Sequence, residues 1–544
     1  ILLAHFERGI HVLNGWDKDF ETLLGNDQGG GADVLATLPE DGVYGFLTQF
    51  VATPGGVVII PQGERAYYYD GEVCDLLGFT EIPSAPEILG PKTGLGFYDN
   101  DASFTFLSNN DYTTDVANNS GYAHGARNTN PNFGWARLGS IRTDVIDISD
   151  TTWRKNRKAN ALGGVLMPSA WQGAVQYIDR WGNLSAMGER SYTVSFEKNE
   201  NLTKARKKEG DESAKAMKGQ VLWTEIAKGP DHAVGRSLYR TRDMLATGDT
   251  ALWWMPPSAT ATQTGASTLP DTITQHYPDN VPDSWLLLKG KEYAPMPRFR
   301  VACLAFGRMW MGNLEGDKGA LMMSDIGFYG SAIKNRIHPD PNGGEITGLH
   351  AVAGGLLAFT RNSTFLIRQE GELTGDTGFV AATLHPAVGC ESPNTIKTLQ
   401  NGITVWLGAE GWYGWMGADD PPTLLSTPIG HDVVRRINYS RTKRATAAVD
   451  SKTGEYRCWV PVDGSETNNL CIVYDGAGWR TRDDVDAHAV CTTRDHRRYM
   501  LSLGYADDNR GLWCLDHEYD STYSPGEVEA VFETAWLRGP RSHR

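Results

Sequence analysis

Short stretches of alternating apolar and polar residues recur along the chain, separated by turns rich in glycine and asparagine. In the stretch GITVWLGAEGWYGWMG, residues 402–417, Ile403, Val405 and Leu407 share one face. A turn at residues 408–411 follows. Alternation with a period of two is typical of half-buried strands, and two such runs around a short turn predict a β-hairpin.

The same hairpin pattern occurs at several other places in the chain. Its further copies lie at residues 50–78, 300–313, 354–371, 445–462 and 489–504. Successive copies in the second half are spaced by about 40–50 residues, which is the length of a four-stranded propeller blade. The pattern predicts an all-β fold, an irregular β-propeller with about five to six blades.

Residues 161–257 have a different rhythm. Tyr177 and Asp179, a turn at 181–183 and the later run SLYRTRD are typical of a small immunoglobulin- or fibronectin-like β-sandwich inserted into the propeller. An inserted domain joined to its host only at its two ends makes few contacts across the junction. We therefore expect this sandwich to face outward and to be removable.

These patterns divide the chain into four regions. The predicted regions are a first propeller part at 1–90, an insertion region at 91–300 with the β-sandwich at about 161–257, the remaining blades at 301–518, and a C-terminal strand or tail at 519–544. Stretches rich in Asn, Gly and Thr at 106–134 and 256–272 predict long functional loops or segments that a partner orders.

Composition supports the all-β prediction and limits the function. The chain has 544 residues, 61 glycines and 10% aromatic residues, with a net charge of −15. Many glycines and aromatics indicate short strands and tight turns. The acidic charge argues against a protein that grips nucleic acid through a basic face, although an acidic protein can still surround DNA.

The seven cysteines indicate reduced thiols in β cores. They are spread singly along the sequence, without a C-x-x-C motif or a histidine at metal-ligand spacing. Neither a disulfide framework nor a metal or cofactor site is therefore predicted. No apolar run approaches 18 residues, and the first residues, ILLAHF, lack a signal pattern. We expect a trimmed N terminus and no membrane insertion.

Clustered carboxylates are the main catalytic candidates. Acidic clusters occur at Asp419-Asp420, at 483–486 beside His488, and at 507–508. A glycosidase needs two facing carboxylates, but these clusters fall where turns are predicted, and aspartate is itself a turn residue. SDIGFYGSA, residues 324–332, is only weakly similar to the Asp-box turn of sialidases. We expect no catalytic residue in this chain.

Two basic runs interrupt the acidic sequence. The first is Arg154, Lys155, Arg157 and Lys158, and the second spans 204–218, where acidic residues are interleaved. An interleaved run is typical of a solvated surface, whereas the first run leaves contact with DNA or a neighbouring subunit open.

The aromatic residues of 402–417 leave two interpretations open. Trp406, Trp412, Tyr413 and Trp415 are suited either to a sugar-stacking platform or to the packing between blades. Exposure of Trp412 and Trp415 on a shared face would favour the platform.

The order of the hairpins is similar to that of a known family. A blade hairpin is followed by a segment with Gly389, Cys390 and Pro393, then by the apolar strand 405–407, and then by a short amphipathic helix predicted at 432–437. This order resembles the propeller of tail hub or nozzle proteins of short-tailed bacteriophages, the tail tubular protein B-like family. The resemblance covers 300–485 well, and 45–82 and 270–300 moderately.

The resemblance implies a structural virion protein without catalytic residues. It implies a six-fold homo-oligomeric ring in the phage tail, assembled in the bacterial cytoplasm below portal and adaptor proteins. It further implies attached fibre or spike proteins and double-stranded DNA that passes through the lumen without specific binding. An acidic or neutral lining is expected there, because a basic one would hold the phosphates.

Two alternatives remain beside this structural role. One is a carbohydrate-active or carbohydrate-binding propeller that uses Trp412, Tyr413 and Trp415 with Asp419 or Asp483. The other is a propeller scaffold that binds a host protein.

Overall fold

The fold is all-β, as the alternation predicts. The computed structural model describes residues 2–6, 9–13, 21–25, 48–61, 64–89, 170–195, 221–255, 269–270, 275–279, 283, 286, 288–370, 378–417, 420–450, 453–482, 487–492, 498–502 and 511–514. Within these residues all named sheets are antiparallel, and the one α-helix is the four-residue α1, Met244–Thr247. The chain forms two compact units, residues 1–393 with 417–422 and residues 394–416 with 423–544.

Among its described residues, the first unit contains three sheets with the up-and-down strand order of propeller blades. A separate three-stranded sheet precedes them, with β1 (Leu2–Phe6), β2 (Gly9–Leu13) and β3 (Glu21–Gly25). Blade 1 contains β4 (Gln49–Thr53), β5 (Gly56–Ile60), β6 (Tyr67–Tyr69) and β7 (Cys74–Leu76).

In the part of the chain that the structure describes, ten strands lie between blade 1 and the meander at residues 301–337. They are β8 (Glu87–Leu89), β9 (Ala170–Trp171), β10 (Gly173–Asp179), β11 (Val194–Ser195), β12 (Val221–Ile226), β13 (Ala233–Thr241), β14 (Leu252–Trp254), β15 (Leu269–Pro270), β16 (Gln275–Asp279) and β17 (Tyr293–Ala294). Blade 2 has the order β17, β21 (Phe328–Ile337), β20 (Asp317–Asp325), β19 (Arg308–Leu314) and β18 (Val301–Ala305). Blade 3 contains β22 (Ile346–Val352), β23 (Gly355–Thr360), β24 (Thr364–Gln369) and β25 (Phe379–His385).

The described residues of the second unit also form sheets with the up-and-down strand order. Blade 4 contains β26 (Lys397–Thr398), β27 (Thr404–Gly408), β28 (Gly411–Trp415) and β29 (Thr423–Leu424). Blade 5 contains β30 (Thr446–Val449), β31 (Tyr456–Val460), β32 (Leu470–Tyr474) and β33 (Trp479–Arg482). Blade 6 contains β34 (Ala489–Thr492), β35 (Arg498–Ser502) and β36 (Gly511–Cys514). The predicted hairpins at 354–371, 402–417, 445–462 and 489–504 are thereby confirmed.

Apolar side chains fill the space between neighbouring blades of one unit. Met309 and Met311 of blade 2 pack with Val58 of blade 1 in a single core cluster. Their neighbour Trp310 points to the other face and packs with Leu356 of blade 3. Because each strand alternates its side chains between two faces, one strand supplies the core on both sides of its blade. This face-to-face packing of successive meanders is the packing of a propeller-type fold.

The predicted immunoglobulin-like sandwich is not confirmed. Strand β13 pairs with β10, β14 and β15, while a second sheet has the order β16-β12-β8. Trp223 of β12 and Val175 of β10 share one core cluster, so two sheets do pack together here. However, β8 and β16 lie outside the predicted bounds 161–257. The sandwich topology stays a prediction.

The expectation that this region touches the blades only at its two ends is wrong. Asn183 accepts a hydrogen bond from Gly330 N of β21 at 2.9 Å, and Leu184 N donates to Ser331 Oγ at 2.7 Å. The Trp181 indole stands edge-on to Tyr68 of blade 1, with the ring centroids 4.9 Å apart. The turn after β10 thus contacts both blade 1 and blade 2. These long-range contacts cannot be predicted from local sequence patterns.

Candidate functional site

The aromatic hairpin at 402–417 is a core element of blade 4. Its two strands pair Trp406 with Tyr413 and Leu407 with Trp412. The four aromatic side chains are all buried, with Trp406 and Trp412 at 0% exposure. The interpretation as blade packing is confirmed, and the sugar-stacking platform built on these residues is wrong.

Trp412 anchors the contact between blades 4 and 5. The ring centroids of Trp412 and Trp479 of β33 lie 5.5 Å apart, and those of Trp479 and Tyr474 lie 4.6 Å apart. The Trp479 indole donates a hydrogen bond to Leu425 O at 3.1 Å. Aromatic pairs at these distances contribute about 0.5–1.5 kcal/mol beyond the burial of their area. Trp412 and Trp479 therefore hold two blades together.

The glycines of this hairpin permit a close approach. Gly411 has φ 125°, and a Cβ atom there would lie 2.2 Å from Ser426 Oγ. Ser426 Oγ instead accepts a hydrogen bond from Trp412 N at 3.0 Å. The turn itself holds two residues rather than the four predicted, because Gly408 and Gly411 pair with each other.

The segment that carries the family resemblance packs against blade 3. A Cβ atom on Gly389 would lie 2.3 Å from Thr360 O, and Cys390 N donates to the same oxygen at 3.0 Å. Pro393 begins a short 3-10 turn, Pro393–Thr395. The glycine is required here because the segment crosses the end of the β23–β24 hairpin at contact distance.

The predicted amphipathic helix at 432–437 is replaced by 3-10 turns. The turn Val434–Arg436 lies within the predicted bounds, and the turns Thr427–Ile429 and Thr442–Arg444 flank it. Val433, Val434 and Ile437 pack into the core shared by blades 4 and 5. The prediction of an apolar face is correct, but Arg436 N donates to Val433 O and Ile437 N to Val434 O, and bonds that span three residues are those of a 3-10 turn.

Most of the candidate carboxylates lie outside the described residues. This holds for Asp419, Asp483, Asp484, Asp486, Asp507 and Asp508. Asp420 is described and exposed, and His488 is buried beside Ala487 in the strand region of blade 6. The structure therefore brings none of the described candidates into a facing carboxylate pair.

A buried ionic cluster in blade 5 was missed by the sequence analysis. Arg457 donates to Glu455 Oε2 at 2.9 Å and to Asp450 Oδ2 at 3.1 Å, and Arg480 donates to the other Glu455 oxygen. The side chains of Asp450, Glu455 and Arg457 are about nine-tenths buried. One guanidinium bridging two carboxylates compensates their charge, which makes this cluster a structural element of the blade.

A second acidic centre lies at the turn resembling an Asp-box. Asp325 Oδ2 accepts hydrogen bonds from Lys291 Nζ and Tyr293 Oη, both at 2.6 Å, and Arg308 lies 3.8 Å from Oδ1. Burial alone would raise the pKa of Asp325, but the bonds from Lys291 and Tyr293 outweigh it and lower this pKa below its ordinary value. The carboxylate is therefore held ionised, tying β17 to the β20–β21 hairpin.

In Asp179, unlike Asp325, the effect of burial on the pKa outweighs that of the hydrogen bonds. Burial raises its pKa to about 6, although Asn183 and Trp181 N donate hydrogen bonds to it. Its partner Asn183 is the residue that contacts Gly330 of blade 2. Asp179 thus orients the turn that is wedged against the blades.

A third basic segment is exposed in the second unit. The two predicted runs, at 154–158 and 204–218, lie outside the described residues. Residues 435–444, RRINYSRTKR, hold five cations, and Arg435, Arg436, Arg441 and Lys443 are exposed. Arg436 pairs with Asp463 and Arg441 with Glu466. Five cations within ten residues are visible in the sequence alone, so this density is the signal that identifies the segment.

The thiols match the prediction where they are described. Cys74, Cys303, Cys390, Cys458 and Cys471 form no disulfide bonds, and the last three are buried. Burial raises the pKa of the Cys458 thiol to about 12. Across the described ranges, no three His, Cys, Asp or Glu side chains are arranged to hold a metal ion. In the same ranges, no helix has the length and apolar character needed to span a membrane.

Comparisons with known proteins give no family. No family model matches the chain, and no curated protein does. Among solved structures, BamB from Moraxella catarrhalis is matched at TM-score 0.26 and 10% identity, covering 84% of this chain and 93% of that one. A mitotic checkpoint complex chain is matched at TM-score 0.25 and 10% identity, covering 54% and 75% of the two chains. Apo AztD from Citrobacter koseri gives TM-score 0.22 and 12% identity, covering 61% and 89%. Scores and identities this low carry no functional argument.

Proposed function

We propose that this chain is a structural component of a short-tailed phage tail, a hub or nozzle that forms a ring around the DNA exit channel. The observation that carries the proposal is the burial of the aromatic hairpin, since Trp406, Trp412 and Trp415 serve the blade core. A structural propeller needs such residues for packing between its blades, and the resemblance at 300–485 to phage hub and nozzle proteins implies a structural role.

The carbohydrate alternative loses support from the same observation. A sugar platform requires exposed aromatic faces beside carboxylates, and Trp412 and Tyr413 have none to offer. Its proposed carboxylates, Asp419 and Asp483, lie outside the described residues. The ionic cluster around Arg457 is charge-compensated and suits a blade support better than acid–base chemistry.

The mass of the assembled particle tests the proposed ring. Six copies of a 59.7 kDa chain give a particle of about 360 kDa or a multiple of that mass. Analytical ultracentrifugation of the purified chain, alone and with portal and adaptor proteins, measures the particle directly. A chain that stays at the mass of one copy under both conditions contradicts the ring, and a host-protein scaffold would then be favoured.

Within this proposal, double-stranded DNA passes the ring without being held. The charge of −15 per copy favours weak contact, and the exposed segment 435–444 is partly neutralised by Asp463 and Glu466. Binding that neutralises phosphates weakens steeply with salt. We expect weak binding with a shallow salt slope. A steep slope that flattens in the double variant Arg435→Ala/Lys443→Ala would show a grip instead.

A further inference from the structure

The outer edge of blade 3 differs from the outer edges of blades 1, 2, 4 and 5. Strand β18 of blade 2 lies beside β4 of blade 1 and β22 of blade 3, and β30 of blade 5 lies beside β26 of blade 4. The strand at the opposite end of each of these sheets is therefore its outer edge. The outer strand of blade 3 is β25, FVAATLH, which has seven residues and no charge.

The other outer strands are short or charged. Strands β17 and β29 have two residues each, β7 contains Asp75, and β33 contains Arg480 and Arg482. Short length and charge are the usual means by which proteins prevent one sheet edge from pairing with another. Among the outer strands of blades 1 to 5, β25 alone lacks both.

The backbone of β25 presents hydrogen-bonding groups outward in a regular row. Glu370 N donates to Gly378 O at 2.8 Å, which fixes the phase of the pairing between β24 and β25. In an antiparallel ladder successive residues point alternately to the two sides. Val380 and Ala382 therefore direct their N–H and C=O groups to β24, whereas Phe379, Ala381 and Thr383 direct theirs away from it. The stretch is regular up to the bulge that follows Thr383.

We propose that β25 is a self-association edge that pairs antiparallel with β25 of a second copy of this chain, centred on Ala381. In this register each copy offers three outward donors and three outward acceptors, so the contact closes about six backbone hydrogen bonds. Val380, which is 46% exposed, faces Ala382 of the second copy, and Phe379 lies opposite Thr383.

A second copy is the occupant that suits this strand. Each copy carries a charge of −15, so association needs a strip without charge, and β25 supplies one. In the two-fold register a larger side chain meets a smaller one at every position around Ala381. Because both free edges are consumed, the pairing closes at two chains and does not grow into a fibre. The contact is separate from the head-to-tail contacts of a ring, and it does not rest on the proposed function.

Cysteine cross-linking of the full chain tests the register. Non-hydrogen-bonded antiparallel neighbours have Cα atoms about 4.5 Å apart, so cysteines at 380 and 382 of two copies lie within disulfide reach. The double variant Val380→Cys/Ala382→Cys is expected to form a covalent dimer on mild oxidation at least about tenfold faster than Thr481→Cys, because pairing raises the local thiol concentration. Thr481→Cys places its thiol on the charged edge β33, and the unaltered chain reports the background from the native cysteines.

A charge variant gives a second readout. Val380→Lys puts one ammonium group from each copy into the contact between the two β25 strands. The fraction of paired chains measured by sedimentation should fall at least about tenfold. The melting curve should be unchanged, because residue 380 is exposed in the single chain. Equal cross-linking of the double variant and Thr481→Cys overturns the proposal, as does a ladder of higher covalent species. If the purified chain still forms a ring but the cysteine variant does not cross-link, the proposed function stands and only the β25 contact is refuted.

Discussion

At the scale of single residues, burial separates structural roles from functional ones. Trp412 has the chemistry of a sugar contact, but at 0% exposure it acts as a core residue between blades 4 and 5. The sequence left both roles open because alternation shows that two faces exist and does not show what covers each face. Only the neighbouring strand, with Trp479, decides the role of Trp412.

Replacement of Trp412 tests its packing role. Trp412→Ala removes the largest side chain of this core and is expected to lower the free energy of unfolding by about 3–5 kcal/mol. Urea denaturation followed by circular dichroism measures the loss. Met416→Ala is the matched control in the same hairpin, since Met416 is 76% exposed and should change stability by less than about 0.5 kcal/mol. Equal effects of the two variants would contradict the core assignment.

Asp325 gives a pH dependence with a defined sign. Its pKa in the folded chain lies below the ordinary value of 3.8, so the unfolded chain binds the proton more tightly. The stabilisation is therefore present above pH ~4 and is lost as the pH falls through the lower, folded pKa. Asp325→Asn should lower stability at pH 7 and flatten the loss of stability in acid.

A second aspartate variant serves as the control for Asp325→Asn in acid. Asp231→Asn changes an exposed aspartate in the same unit and should leave the acid part of the stability curve as it is. An Asp325→Asn curve parallel to that of the unaltered chain between pH 5 and 2 would refute this assignment of Asp325.

At the scale of elements, local hairpins were predictable and long-range pairings were not. The strands β27 and β28 follow from alternation and turn residues within sixteen positions of sequence. By contrast, β8 pairs with β12 through Leu89 and Leu222, far apart in sequence, and neither strand shows a distinctive pattern. The ionic cluster of blade 5 was equally hidden, because Asp450 and Glu455 look like ordinary turn residues until Arg457 and Arg480 are placed beside them.

The ionic cluster should stabilise blade 5 as a unit. Arg457→Met leaves Asp450 and Glu455 buried without their shared partner, which typically costs about 3–5 kcal/mol. Hydrogen-exchange mass spectrometry of the full chain should show faster exchange in β30 to β32. Arg480→Met, which removes a half-exposed partner, is the matched control and should have a much smaller effect. Fast exchange in both variants or in neither would argue against a central role for Arg457.

At the scale of the whole molecule, the region between blades 1 and 2 contacts both of these blades within the first unit. Replacing residues 161–257 by a short linker removes Trp181 from Tyr68 and Asn183 from Gly330. We expect blades 1 and 2 to lose hydrogen-exchange protection, which is the reverse of the sequence-based expectation of free removal. A shortened chain with unchanged protection in β4 to β7 and β17 to β21 would restore the simple insertion.

We propose that copies of this propeller-type chain assemble into a ring around a channel. Blade packing explains the buried aromatics, and the resemblance at 300–485 supplies the expectation of six-fold symmetry. Negative-stain imaging of particles assembled from the purified chain with portal and adaptor proteins tests this most directly. A six-fold ring gives ring-shaped end views with six-fold symmetry and a central hole. Single compact particles without a hole would contradict it.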